Sequence, residues 1–231
     1  MNAAFKVLGG NALRTLLLDC LPAFDRANGV ATIVDFGSTH HTLEVMRAGQ
    51  AADLIIATSG AIDELTREGK IISGTRTDLA IAGIGACVRT GQSRPDISSV
   101  EALKRTLLNA KSVAYSKAGQ SGIHFAKIIE QLGIADIVKA KAKINPGGLV
   151  GELVVRGEAE LGFQQISELL AVKGVDVVGP LPDALQLNSV FAAGIGTGTQ
   201  HEKTAQALIQ HLRTAHAAQI MRDNGLTPVA A

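Results

Sequence analysis

Apolar and polar positions along the first 82 residues alternate between a strand-like and a helix-like period. Short apolar runs occupy residues 5–9, 30–36 and 53–57. The segments that follow them place apolar residues three or four apart and end at a glycine or at Asn-Gly, over residues 11–27, 40–48 and 61–68. This βαβαβα pattern predicts a largely parallel sheet with helices on both faces.

A long β-rich run, "LAIAGIGACVR" (79–89), is interrupted by Gly83 and Gly85, as expected of a strand that bends where it crosses between domains. A second set of elements follows, with helices predicted at 98–109, 121–132, 147–156 and 166–171 and strands at 112–116, 160–164 and 175–179. Residues 180–196 indicate a second crossing, before helices at 201–214 and 216–223. We therefore predict a discontinuous first domain, 1–82 plus 189–231, and an inserted second domain, 83–188.

Five predicted strand-to-helix junctions consist of small, hydroxyl and amide residues. Their sequences are "GGNAL" (9–13), "FGSTHH" (36–41), "SKAGQSGIH" (116–124), "NPGGL" (145–149) and "FQQIS" (163–167). Ligands of open α/β sheets bind at the carboxyl ends of strands, where helix N-termini present unpaired N–H groups. One such junction is ordinary helix capping, whereas five together predict a site of neutral donors for a small oxyanion or carboxylate.

Charge and composition exclude several classes of function. The 231 residues carry 22 Lys and Arg against 21 Asp and Glu, so no strong field favours nucleic acid. No apolar run is long enough for membrane insertion. No dinucleotide or phosphate-loop motif is present, and the histidines match no metal-ligand spacing, so neither a cofactor nor a metal is expected.

The chain resembles the periplasmic molybdate-binding proteins, the substrate receptors of ABC importers. The resemblance rests on "FGSTHHTLEVMRAGQAADLIIA" (36–57) and on the later segments "SGIHFAKIIEQLG", "GEAELGFQQ", "VVGPLP" and "NGLTP". It implies the type II periplasmic-binding-protein architecture: two α/β domains, joined by two crossing strands, that close on an anion. It also implies aconitate isomerase as a relative on the same scaffold.

The resemblance implies a set of ligand residues. The first serine of the family falls on Ala12, beside Asn11, and its second falls on Thr39, beside Ser38. Its two backbone N–H ligands fall on Ser121 and near Gly147, and its tyrosine falls on Gln165. The expected ligand-binding residues are Gly10, Asn11, Ser38, Thr39, His40, Ser121, Gly122, Gly147 and Gln165. The loss of a serine and the tyrosine favours a di- or tricarboxylate over molybdate.

Three functions remain open at this point. The first is a solute-binding protein that closes on a small anion; the second is an isomerase that shifts a C=C bond in a tricarboxylate such as aconitate. The third is a cytoplasmic anion sensor that reports to a partner. An isomerase needs a base, and His40 and His41 are the available imidazoles. Adjacent helical residues point about 100° apart, so at most one faces the ligand squarely, and His40 is slightly preferred.

Partners and compartment depend on which function applies. A receptor implies an ABC-importer membrane component as partner, and we expect a monomer in each case. Because residues 1–4 lead straight into the first predicted strand, we expect no signal peptide in this sequence. The expectation is periplasmic if such a peptide has been removed and cytoplasmic if the sequence is complete.

Overall fold

A computed structural model describes residues 4–230, and the chain divides into two compact units. Unit 1 comprises Met1–Ala82 and Ser189–Ala231, and unit 2 comprises Gly83–Asn188. No helix in the described part of the chain is both long and apolar enough to span a membrane.

Strands and helices alternate along most of the chain. The elements up to the first crossing are β1 (Phe5–Gly10), α1 (Arg14–Asn28), β2 (Thr32–Gly37), α2 (Thr39–Arg47), β3 (Leu54–Thr58), α3 (Ser59–Arg67) and β4 (Thr77–Ala82). Unit 2 contains β5 (Ile84–Arg89), α4 (Val100–Asn109), β6 (Val113–Ser116), α5 (Gln120–Gln131), α6 (Ala135–Ala140), β7 (Ala142–Asn145), α7 (Gly151–Val155), β8 (Leu161–Gln165), α8 (Ile166–Leu170) and β9 (Val175–Pro180). The chain ends with β10 (Ser189–Ile195), α9 (Glu202–His211), α10 (Ala215–Asp223) and β11 (Leu226–Pro228). Short 3-10 turns occupy Asn11–Leu13 and Asp183–Leu185.

The sheet of unit 1 has the strand order β11-β4-β10-β3-β1-β2. β1 pairs in parallel with β2 and β3, and β10 runs antiparallel to β3 and β4. Ile55 and Ile56 alternate along β3 and enter different apolar clusters, so both faces are covered. The cluster at Ile56 includes residues of α1, α9 and α10, and the one at Ile55 includes residues of α2 and α3.

The sheet of unit 2 has the order β7-β6-β8-β5-β9. β6 is parallel to β7 and β8, whereas β5 is antiparallel to β8 and β9. Ala86 packs with residues of α4, α5 and α6, and the next residue, Cys87, packs with Val154 of α7 and Leu169 of α8. The α/β class predicted from the sequence is confirmed.

The two crossings occur at residues that end one sheet and begin the other. Gly83 separates β4, in the first sheet, from β5, in the second. The return passes from Asn188 to Ser189, the first residue of β10. A glycine suits the first crossing because a Cβ there would lie 3.3 Å from the Asn188 side chain.

One local expectation was wrong, and three short elements were not predicted. The helix predicted from residue 147 begins at Gly151, because Gly148 has a φ of +79°, a left-handed conformation outside a right-handed helix. α6 and β7 were not predicted, because both are short. β7 is a four-residue edge strand with two exposed positions and little alternation of apolar and polar residues. The segment after Gly225 forms β11, which pairs with β4.

Candidate functional site

The carboxyl ends of three parallel strands meet at one edge of the unit 1 sheet. Gly10 of β1 is level with Gly37 of β2, and Gly9 is level with Ile56 of β3. A 3-10 turn or helix starts within two residues of each strand end. The first N–H groups of those segments have no intrahelical partner, and they give this edge a positive local potential.

The β1 junction is tightly packed around small residues. A Cβ at Gly10 would lie 3.2 Å from the Ile56 carbonyl oxygen and 3.3 Å from the Phe191 ring, so a side chain has little room there. Asn11 opens the 3-10 turn and is partly exposed, and no side chain caps that turn. Ala12, where the family has a serine, is buried. Asn11 is thus the polar side chain that this junction presents.

At the β2 junction the two neighbouring hydroxyl residues, Ser38 and Thr39, have different roles. The Ser38 hydroxyl caps α2, accepting a hydrogen bond from the His41 N–H at 3.2 Å. Thr39 is the first residue of α2 and is partly exposed, and its hydroxyl makes no hydrogen bond within residues 4–230. Thr39 therefore has the freer donor of the two, while Ser38 holds the helix start in place.

The two predicted histidines both carry carboxylate partners. His40 Nε2 lies 3.2 Å from Glu44 Oε1, one turn further along α2, and both side chains are well exposed. His41 Nε2 lies 3.0 Å from Asp35 Oδ2, and the Cγ–Cδ2 side of its ring covers Gly37. The preference for His40 is not supported by this geometry, because its ring pairs along the helix surface away from the helix N-terminus.

The unit 2 sheet has an equivalent edge. Ser116 at the end of β6 is level with Asn145 at the end of β7, and Gln165 at the end of β8 is level with Ile84 of β5. All three polar residues at these strand ends are buried. Buried polar side chains at strand ends need partners, so this edge is built for hydrogen bonding.

The start of α5 offers backbone donors that are not used within the helix. No side chain caps this 12-residue helix, and its first intrahelical donor is the Ile123 N–H, which bonds the Gly119 carbonyl. Ser121 and Gly122 are buried in the first turn. The Ser116 hydroxyl beneath that turn is buried and has no hydrogen-bond partner within residues 4–230.

Gly122 is a glycine for a steric reason. A Cβ at this position would lie 1.9 Å from the Ser116 carbonyl oxygen and 2.6 Å from its hydroxyl oxygen. The close approach lets the first turn of α5 sit directly on the end of β6. Gly122 thus serves the packing of α5 on the strand end, and its role in ligand binding stays a prediction.

The loop before α7 is held by its own side chains. The Gly147 N–H donates to Asn145 Oδ1 at 3.2 Å, so in this conformation it is not a free ligand donor. Gln164 fixes the rest of the loop: its Oε1 accepts from the Val150 N–H at 2.7 Å, and its Nε2 donates to the Gly148 carbonyl at 3.2 Å.

Glu168 is a buried acid next to Gln165, the residue that replaces the tyrosine of the family. Burial raises the pKa of Glu168 to about 8, and hydrogen bonds from the Gln165 N–H and the Gln164 side chain only partly oppose that rise. The Glu168 carboxyl accepts a hydrogen bond from the N–H of Gln165, the residue before α8, as the glutamate of a capping box does. We therefore assign Glu168 to the support of the β8 junction.

Sequence reasoning missed three polar positions at these edges. Thr58 and Ser59 form a sixth junction, at the end of β3, whose hydroxyl pair was a readable signal. Ser116 lies in the predicted junction 116–124, but nothing in the sequence indicated that its hydroxyl lacks a hydrogen-bond partner. That fact depends on the packing of Gly119 and Gly122 around it.

The two edges have the chemistry of anion binding by neutral donors. No group of three or more metal-ligating side chains occurs within residues 4–230. Burial raises the pKa of Cys20 to about 11 and that of Cys87 to about 12, so both remain protonated thiols. What the edges offer is hydroxyl, amide and backbone N–H groups, which bind an anion without a competing buried charge.

Comparison with known proteins identifies the family. The sequence profile of the bacterial extracellular solute-binding proteins matches residues 5–227. The chain is 36% identical to an aconitate isomerase of Pseudomonas sp. over 97% of this chain and 88% of that protein. It is 25% identical to the molybdate-binding protein of Escherichia coli (strain K12) over 96% of this chain and 88% of that protein.

A solved structure shows the same fold. The Azotobacter vinelandii periplasmic molybdate-binding protein superposes with a TM-score of 0.81 at 17% identity, covering 96% of this chain and 98% of its own. With a profile that spans residues 5–227 and two edges built from neutral donors, this chain belongs to the molybdate-binding-like, type II family of bacterial extracellular solute-binding proteins, whose members bind small anions.

Proposed function

We propose that this protein binds a small polycarboxylate, with aconitate as the first ligand to test. The observation that carries the proposal is the group of unused donors at the start of α5, namely the N–H groups around Ser121 and Gly122 above the Ser116 hydroxyl, which is unpartnered in the described part of the chain. In unit 1 the Thr39 hydroxyl at the start of α2 is a donor of the same kind. Beside the position of the family's first serine stands Asn11, whose amide reaches further than a serine hydroxyl, and the family's tyrosine is replaced by the amide of Gln165. An amide has more donors and acceptors than a hydroxyl, which suits a ligand with several carboxylates.

The expected affinity follows from the number of donors. A hydrogen bond to a charged group contributes about 1.5–3 kcal/mol. Four or five of them supply the roughly 8 kcal/mol of micromolar binding even after ordering costs. The relative named aconitate isomerase supports a tricarboxylate as ligand, and the molybdate-binding relative supports the compact oxyanion as the competing choice.

One thermal-shift and calorimetry panel tests the ligand class. It contains cis- and trans-aconitate, tricarballylate, succinate, molybdate, tungstate, sulfate and phosphate. We expect the tricarboxylates to raise the Tm by several degrees at a concentration about 100 times the Kd, where ligand binding contributes about 2.7 kcal/mol. Stabilisation by molybdate or tungstate alone would show that the carboxylate preference is wrong.

Aconitate isomerisation is the second candidate function, favoured by the 36% identity to a named aconitate isomerase. The reaction removes a proton from one carbon, shifts the C=C bond and returns a proton to another carbon. In this chain His41 is the better base. Asp35 accepts a hydrogen bond from Nε2 and so orients the ring, whose Cδ2 side covers Gly37. The other nitrogen, Nδ1, is on the opposite side of the ring from Cδ2 and is the atom that would take the proton.

NMR in D₂O separates the two functions. An isomerase converts cis- and trans-aconitate into one another and incorporates deuterium at the carbon that receives the proton. A receptor binds aconitate without either change, and its partner is then the membrane component of an ABC importer, outside the cytoplasm. Absence of turnover at high protein concentration, with binding intact, would rule out the isomerase.

A further inference from the structure

Arg14 lies at the same edge of unit 1 as Asn11 and Thr39. It is the first residue of α1, directly after the 3-10 turn Asn11–Leu13. Its neighbour Phe36 is the residue before Gly37, the last of β2, and Gly37 is level with Gly10. A cationic side chain is thus placed beside donors that are otherwise neutral.

The guanidinium of Arg14 is held over an aromatic ring. Its central carbon lies 4.3 Å from the centroid of the Phe36 ring, within the range of a cation–π contact. The ring is itself positioned by packing, since a Cβ at Gly9 would come within 3.1 Å of Phe36 Cε1 and 3.0 Å of Leu17 Cδ1. Because Gly9 has no side chain, the Phe36 ring has space for the position in which it contacts Arg14.

No carboxylate neutralises Arg14 within residues 4–230. The contrast with other arginines of unit 1 is clear, because Arg47 pairs with two glutamates and Arg76 with two aspartates. Arg14 is only partly exposed. A guanidinium held over a ring face keeps the N–H groups at its edge, in its own plane, able to bind both oxygens of one carboxylate.

We propose that Arg14, stacked on Phe36, binds one carboxylate of the ligand and selects polycarboxylates over compact oxyanions. The inference rests on the proposed function, since the neutral donors hold one anionic group and Arg14 supplies the charge for another. It assigns a role to a residue outside the polar junctions that the family resemblance picks out. It also explains how a site of neutral donors tolerates a ligand of two or three negative charges.

Calorimetry on matched arginine variants tests this role. The variants are R14Q, R14K and, as control, R26Q, which removes the same charge from an exposed position at the other end of α1. Each is titrated with tricarballylate, which has three carboxylates and no C=C bond to shift, and with molybdate. Circular dichroism melting verifies that each variant is folded.

R14Q should lower the affinity for tricarballylate by roughly 10- to 100-fold and leave any affinity for molybdate within about threefold. R14K should fall between R14Q and wild type, because it keeps the charge and loses the planar fork. R26Q should bind like wild type. Equal affinities in R14Q and R26Q, with wild-type binding intact, would overturn this inference alone. A wild-type protein that binds no carboxylate would overturn the proposed function, and this inference with it.

Discussion

His41 Nε2 lies 3.0 Å from Asp35 Oδ2, and this contact joins the first turn of α2 to the strand that precedes it. Asp35 is two residues before the end of β2, and the ring covers Gly37 between them. The pair resembles the base-and-orienter arrangement of many catalytic sites. His40 has a different environment, because Glu44 is on its own helix and both side chains are exposed.

If the protein turns over aconitate, this difference predicts unequal effects of the two histidines. H41A should lower kcat by about 100-fold or more, as expected for loss of a general base. H40A should change kcat by less than about threefold. Steady-state kinetics on both variants decides the assignment, and equal losses in the two would contradict the special role of His41.

The Thr39 hydroxyl should matter for binding and little for folding. We expect T39V to weaken ligand binding by roughly 10- to 100-fold, because a charge-assisted hydrogen bond is lost, while T39S retains most of the affinity. T204V, on α9 of the same unit and also partly exposed, is the matched control. Calorimetry with the best ligand of the panel measures both. An unchanged Kd in T39V would show that this hydroxyl does not contact the ligand.

Gly122 and Gly60 form a matched pair in the first turns of two helices. In G122A the new methyl group clashes with the Ser116 carbonyl oxygen, so the free energy of unfolding should fall by about 2 kcal/mol or more. In G60A the methyl group has open space, and stability should change by no more than about 1 kcal/mol, in the stabilising direction. Urea unfolding measures the stability of both variants. Equal stabilities would mean that the end of β6 moves aside for the new methyl group at little cost.

Glu168 predicts a pH dependence of stability. Its pKa is about 8 in the folded protein and 4.5 in its ordinary state, so the folded form holds a proton that the unfolded chain has lost. Stability from this group is complete below pH 4.5 and falls by about 1.4 kcal/mol per pH unit until pH 8.

E168Q removes that titration and keeps an acceptor for the Gln165 N–H. The difference in unfolding free energy between E168Q and wild type should therefore shift in favour of the variant from pH 5 to pH 8. The comparison cancels every other titrating group. A difference that stays constant over this range would mean that Glu168 is ionised in the folded protein.

Local pattern was enough to predict most of the elements. Apolar spacing and the glycines at helix ends indicated the alternation of strands and helices, with most boundaries close to those observed. The elements that it missed have short or irregular patterns. β7 has four residues at a sheet edge, and β11 has three residues and gains its pairing from β4.

The sequence by itself determined the α/β class and which residue types stand at the strand ends, because periodicity and turn chemistry are local properties. Only the tertiary structure decided which of those groups are already engaged. Gly147 and Ser38 donate or accept within their own loops, whereas Thr39 keeps its hydroxyl free. The stacking of Arg14 on Phe36 joins residues 22 positions apart, and Gln186 hydrogen-bonds Ile84 across 102 positions. Such contacts follow from strand register and packing, which no local pattern encodes.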